Sequence, residues 1–178
     1  MEIKAKLIRP YTEKQKIDFI VEQNHKNGYE IRETETALEA WGNTDEEQLN
    51  IAKTSKYNEI NNGACTYLAS GEALFEIEEG KHIEATDGNI GKLSAYALGF
   101  ITGQLKEDDV IYWNTKEDIT IPLTKEKLIQ ALNGLGQVQA KVWNEKFPAY
   151  LAQIEACTTI EEVQNIKINY NIESEGEE

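Results

Sequence analysis

The chain has 178 residues, of which 40% are hydrophobic and 28% charged, and a formal net charge of −14. That composition excludes wholesale disorder and allows one ordinary domain or two small ones. The acidity opposes contact with a phosphate backbone or an anionic membrane surface, so neither nucleic acid nor membrane is an expected partner.

Glu2–Arg9 alternates, with Ile3, Ala5 and Leu7 opposite Glu2, Lys4 and Lys6, which predicts a half-buried strand that Pro10 ends. Thr12 and Gln15 have the spacing of a capping box, opening a helix with the apolar stripe Ile17, Ile20, Val21 and Asn24 and a stop at Gly28. Alternation returns over Tyr29–Glu35 and Thr36–Trp41, so residues 1–43 are expected to form a small β-α-β-β module. Thr44 and Glu47 make a second box, and a thin stripe of Leu49, Ala52 or Lys53, Lys56 and Ile60 predicts a connecting helix that Asn61-Asn62-Gly63 ends. A linker then completes residues 44–72.

The second module is expected over 73–170. Ala73, Phe75 and Ile77 alternate with Leu74, Glu76 and Glu78, Glu79-Gly80-Lys81 turns the chain, and His82–Ala85 returns as the partner strand. Thr86-Asp87-Gly88 opens a helix with Ile90, Leu93, Ala97, Phe100 and Ile101 at helical spacing. Val110–Trp113 and Ile119–Ile121 flank a polar turn and predict a hairpin. Thr124 caps the longest element, where Leu128, Leu132, Leu135, Val138 and Val142 lead to Trp143, Phe147, Leu151 and Ile154. Gly134 and Gly136 each cost ~1 kcal/mol against alanine inside a helix, and Pro148 should kink or restart it. Thr159 with Glu162 starts a short last helix, and 171–178 reads as a disordered acidic tail. The expected fold class is therefore α+β.

No cluster of reactive groups emerges. Cys65 and Cys157 lie far apart, fit a reducing cytosol, and have only His25 and His82 as conceivable bases, with no spacing to support a pair. Glu78, His82, Glu84 and Asp87 surround one turn but lack the spacing of a zinc or calcium site, and a solvated acidic hairpin is the simpler reading. Gly134-Leu135-Gly136 follows no strand and lacks the third glycine of a nucleotide loop. Among 32 acidic residues any chosen carboxylate pair is uninformative. No catalytic, cofactor or metal residue is expected. The candidate partner contacts are Trp41 and Trp113 at strand ends, with Leu128, Leu132, Leu135 and Trp143 on the long stripe.

One ordered set of features goes further. A strand precedes the Asp87-Gly88-Asn89 helix start and its alanines Ala95 and Ala97. A tryptophan hairpin, Ile111-Tyr112-Trp113-Asn114-Thr115, then leads into Ile121-Pro122-Leu123-Thr124. The long helix closes on Ile154-Glu155-Ala156-Cys157-Thr158-Thr159-Ile160-Glu161-Glu162-Val163. This stretch, about 75–166, resembles a domain-of-unknown-function family found in phage and prophage tail proteins. Residues Leu7–Gln15 and Glu33–Trp41 are similar to small N-terminal modules of uncharacterised phage proteins.

The resemblance implies a non-enzymatic accessory or structural protein at a baseplate or fibre, with other tail or fibre proteins as partners. A homo-oligomer through the long helix is a further expectation. The protein would be made in the bacterial cytoplasm, without a signal peptide, and carried in the virion tail. A transient assembly chaperone and an acidic DNA-mimic decoy are the alternatives. The family has no assigned catalytic residues, so none carries over.

Overall fold

The computed structural model describes residues 1–172 of the chain, and the acidic stretch from Glu173 onward lies outside them. The fold is α+β, with small antiparallel sheets and a helical second half. It divides into two compact units, one from residues 1–54 with 158–164, the other from 55–157 with the described residues from Asn165.

In the first unit, β1 (Glu2–Ile8), α1 (Glu13–Ile20), β2 (Glu30–Glu33) and β3 (Ala37–Gly42) form the expected β-α-β-β run. Both outer strands pair antiparallel to β3, in the order β1-β3-β2. Cross-strand partners Leu7–Leu38 and Ala5–Ala40 follow the predicted alternation, and Ala37, Leu38 and Ala40 are buried. Thr12 and Gln15 close their capping box around α1.

The helix stripe differs from the expectation. Ile17 and Val21 stay exposed, at 52% and 43%, while Lys16, Phe19, Ile20 and Gln23 are half-buried. Phe19 offers more apolar area than Ile17, and Lys16 lays its stem inward to reach Glu33 at 3.2 Å. The helix also widens into a π-helical turn, Val21–Lys26, in which Asn24 donates from its side chain to the Tyr29 carbonyl. Thus Asn24 serves as a turn-former and not as part of an apolar face.

The helix α2 (Asp45–Ala69) gives its first turns to the first unit and the rest to the second. Thr44 and Glu47 form the predicted box at its start. It does not stop at Asn61-Asn62-Gly63 but continues to Ala69. Ile60, Ala64, Tyr67 and Leu68 are buried at spacings of four, seven and eight, so core packing outweighs the local breaker.

The remaining elements described in the second unit are two hairpins and three α-helices, with a π-helical turn between the last two. β4 (Leu74–Glu78) pairs with β5 (Lys81–Glu84), and β6 (Ile111–Asn114) with β7 (Thr120–Leu123), both antiparallel. α3 (Asp87–Ile101) starts at the predicted Thr86 cap and buries Leu93 and Phe100, but leaves Ile101 79% exposed. α4 (Lys125–Ala140) runs through both glycines and packs against β4 and α3. A π-helical turn, Lys141–Lys146, then leads into α5 (Phe147–Ala156). Pro148 lies in the first turn of α5 directly after the π-helical turn, and the backbone stays helical through Ala140, Lys146 and Phe147, so the helix widens ahead of the proline and does not restart there. The short α6 (Ile160–Gln164) belongs to the first unit, with Glu162 closing back on Thr158 and Thr159.

The two glycines of α4 have different roles. A Cβ at Gly134 would fall inside the ring of Phe75 on β4, so glycine there lets hairpin and helix touch. A Cβ at Gly136 would meet nothing within 4 Å. Gly136→Ala is therefore expected to stabilise the protein by about 0.4–1 kcal/mol, read as a raised thermal midpoint.

Candidate interaction surface

Most of the residues expected to meet a partner are used within the chain. Leu128 and Leu135 are 1% and 0% exposed, in the core formed with Ile77, Ile83, Leu93 and Ile121. The stripe on α4 is thus covered by the unit's own hairpins and α3, and no second copy is needed to bury it. Leu132, Trp113 and Trp143 pack half-buried on the same core, with the Trp143 and Phe147 rings 5.3 Å apart. Trp41, in the first unit, lies under the Arg32 guanidinium at 4.7 Å and donates its indole N–H to Glu39 at 3.2 Å.

The ionisable groups are also engaged one with another. The four residues around the Gly80 turn do not converge. Glu78 pairs with Lys81 and Lys127, whose ammonium groups hold its carboxyl down at about 2. Glu84 pairs with Lys116, and Asp87 accepts from Gln139. His82 faces Glu117 instead, on the turn of the other hairpin. The Glu117 carboxylate accepts the His82 backbone N–H at 2.9 Å and meets Nδ1 at 2.8 Å, while Lys116 N–H donates to the His82 carbonyl.

This clasp fastens the β6–β7 turn to β5. It also holds Glu117 near 2, first through the His82 backbone N–H and then through the imidazole. A carboxyl lowered by folding adds stability above its usual value of 4.5 and loses it as pH falls toward 2. Glu117→Gln is expected to lower the thermal midpoint at pH 5 and to flatten its decline between pH 5 and 2. Equal slopes in both proteins would refute the assignment.

Among the thiols, Cys65 is exposed on α2, and Cys157 donates to the Gln153 carbonyl at 3.2 Å while packing against the core. A cleft of about 470 Å³ lies beside Phe75, with His82, Gly134, Lys141 and Ile172 in its walls. Its histidine is already paired with Glu117, and the cleft brings no cysteine near it.

The most specific chemistry lies in a segment for which no element was expected. After α6 the chain forms neither helix nor strand, yet Ile166, Ile168, Tyr170 and Ile172 turn inward while Lys167, Asn169 and Asn171 face solvent. Residues 165–172 form a strap across α2 and α5. Tyr170 is 5% exposed, and its ring fills the space that a side chain at Gly63 would occupy, with Cε2 only 3.2 Å from an ideal Cβ there. Its hydroxyl donates to the Ile60 carbonyl at 2.8 Å, and Tyr67 and Tyr150 pack on its ring. Burial pushes its phenol up to about 12.

The strap's backbone is held by side chains. The Tyr150 hydroxyl accepts from Asn169 N–H at 2.7 Å and donates to the Asn169 carbonyl at 2.9 Å. The Tyr67 hydroxyl accepts the Ile172 N–H at 3.3 Å. Lys56 donates to the Ile166 carbonyl, and Lys146 to those of Asn169 and Asn171. Asn171 and Ile172, expected in a frayed tail, are thus anchored because their backbone groups find partners. The remainder of that expected tail, 173–178, lies outside the described residues. The period-two pattern of Ile166, Ile168, Tyr170 and Ile172 is the signal that would have revealed the strap.

No protein-family model, curated protein sequence or solved structure matches the chain. Among the described residues no helix is long and apolar enough to cross a membrane.

Proposed function

We propose that this chain is a non-catalytic accessory protein of a phage or prophage tail, made in the bacterial cytoplasm and working through contacts with tail or fibre proteins. The observation that carries the contact role is the balance of its surface. Many of the cations are paired with carboxylates, while large apolar side chains stay open to solvent. On the second unit Leu98, Ile101 and Tyr112 are 58%, 79% and 74% exposed. The tail setting is supported by the resemblance of 75–166.

The decoy alternative is less favoured. A mimic of DNA needs a continuous negative face, and the acidic hairpin region is interrupted by the pairs Glu78–Lys127, Glu84–Lys116 and Glu107–Lys125. Mass spectrometry of purified particles from a producing host is the test. The chain is expected among the particle proteins. Its absence there, with recovery of fibre subunits on the chain from lysates taken before assembly is complete, would replace this reading with a transient chaperone.

A further inference from the structure

The outer face of α4 carries a groove that the fold itself leaves empty. Two depressions of about 470 and 390 Å³ adjoin there, with Phe75, Gly134 and Gln137 common to their walls. The Phe75 ring lies directly on the helix backbone, because Gly134 has no side chain to hold it off. Glu126, Gln130, Asn133, Gln137 and Lys141 follow at steps of four, three, four and four, so they line one helix face along the groove. That stretch is about 22 Å long at the helical rise of 1.5 Å per residue.

Two kinds of side chain there lack the partners found elsewhere in this unit. Gln130, Asn133 and Gln137 are exposed, and their amides make no hydrogen bond among the described residues. Glu72, Glu76 and Glu126 also line the groove. Unlike Glu78, Glu84 and Glu107, none of the three is ion-paired among the described residues. The lysine in the walls, Lys141, already has a partner.

We propose that this groove docks an extended, basic segment of a partner protein. Three glutamates without cations, beside one engaged lysine, favour Lys or Arg and repel an acidic occupant, a second copy of this chain at −14 included. The amides select the conformation. Each offers a donor and an acceptor, and an extended segment has N–H and C=O groups open along its length, whereas a helix has already paired its own. Phe75 and Ile129, the latter 47% exposed, give apolar side chains between the basic ones a surface to cover. At ~3.3 Å per residue, about seven residues span the face. The assignment deepens the contact role proposed above and rests on it, but not on the tail setting.

Selection from a random heptapeptide library on the full chain, followed by fluorescence anisotropy of the synthesised peptides, tests it. The selected peptides should be rich in Lys and Arg and low in Asp and Glu. Glu76→Lys combined with Glu126→Lys should weaken them about tenfold or more. Glu13→Lys with Glu35→Lys, the same change in net charge on the first unit, should leave them nearly unaffected. Asn133→Ala with Gln137→Ala should weaken every selected peptide by about tenfold, as should methylation of the peptide's backbone nitrogens.

Every substituted position is exposed, and circular dichroism confirms that each variant is folded. Should the charge-reversed groove fail to fold, Glu76→Gln with Glu126→Gln takes its place, with a smaller loss. A library that yields no binder, or acidic ones, would overturn the assignment. So would equal losses from the two charge-reversed pairs, or binding indifferent to the amides. A chain absent from particles would remove the tail setting and leave peptide binding intact, while failure to bind would leave the particle result standing.

Discussion

Gly134→Ala is expected to destabilise the protein by about 1–3 kcal/mol, although alanine is the better helix former by about 1 kcal/mol. The added methyl would overlap the Phe75 ring, which packs against the core from β4. The ring is half-buried beside a cleft, so relief means either swinging it off α4, which strips its packing, or moving α4 away from β4, which opens space around the fully buried Leu135 and Ala131.

For a chain of this size each kcal/mol lowers the thermal midpoint by about 2–4 °C, so a drop of roughly 2–12 °C is expected in calorimetry. Phe75→Leu should be less damaging in the Gly134→Ala background than in the wild type, which gives the pair a measurable coupling. Additive losses would show that the two residues do not meet.

Tyr170→Ala should cost more, about 3–5 kcal/mol, the range for removing a large aromatic side chain from a core. The loss combines the ring's contacts with Tyr67 and Tyr150 and the hydroxyl bond to Ile60. Tyr170→Phe isolates the hydroxyl and should cost about 0.5–1.5 kcal/mol, because the ring still fills the notch at Gly63. Denaturant titration of the three proteins at one pH separates these contributions. A Tyr170→Ala protein as stable as the wild type would mean that the strap adds nothing to the fold.

The alkaline limb gives a second reading of the same residue. The phenol moves from 10.0 up to about 12 on folding, so the unfolded chain ionises first. Stability from the neutral, buried hydroxyl is complete below pH 10 and is lost as pH rises from 10 through 12. The wild type should therefore fall more steeply than Tyr170→Phe over that window. Parallel curves would place the phenol in a more open setting than its burial implies.

Local patterns in the amino-acid order determined a good deal. The capping pairs Thr12–Gln15, Thr44–Glu47 and Thr159–Glu162 act over three residues and form where they were expected, as do both hairpins and the β-α-β-β run. These features depend on near neighbours along the backbone, so neighbours suffice to identify them.

What only tertiary structure decided depends on groups distant in the chain. Asn61-Asn62-Gly63 has the composition of a helix end, yet the helix continues because Tyr170, more than a hundred residues later, seats its ring against Gly63 and its hydroxyl on Ile60. The alternation from Ile166 to Ile172 was present in the sequence, but with no neighbouring strand the pattern had no visible partner. Leu128 and Leu135 illustrate the same limit from the other side. An apolar stripe declares that it will be buried; whether the cover comes from this chain or another is decided by where the hairpins and α3 fold, and here they fold over it.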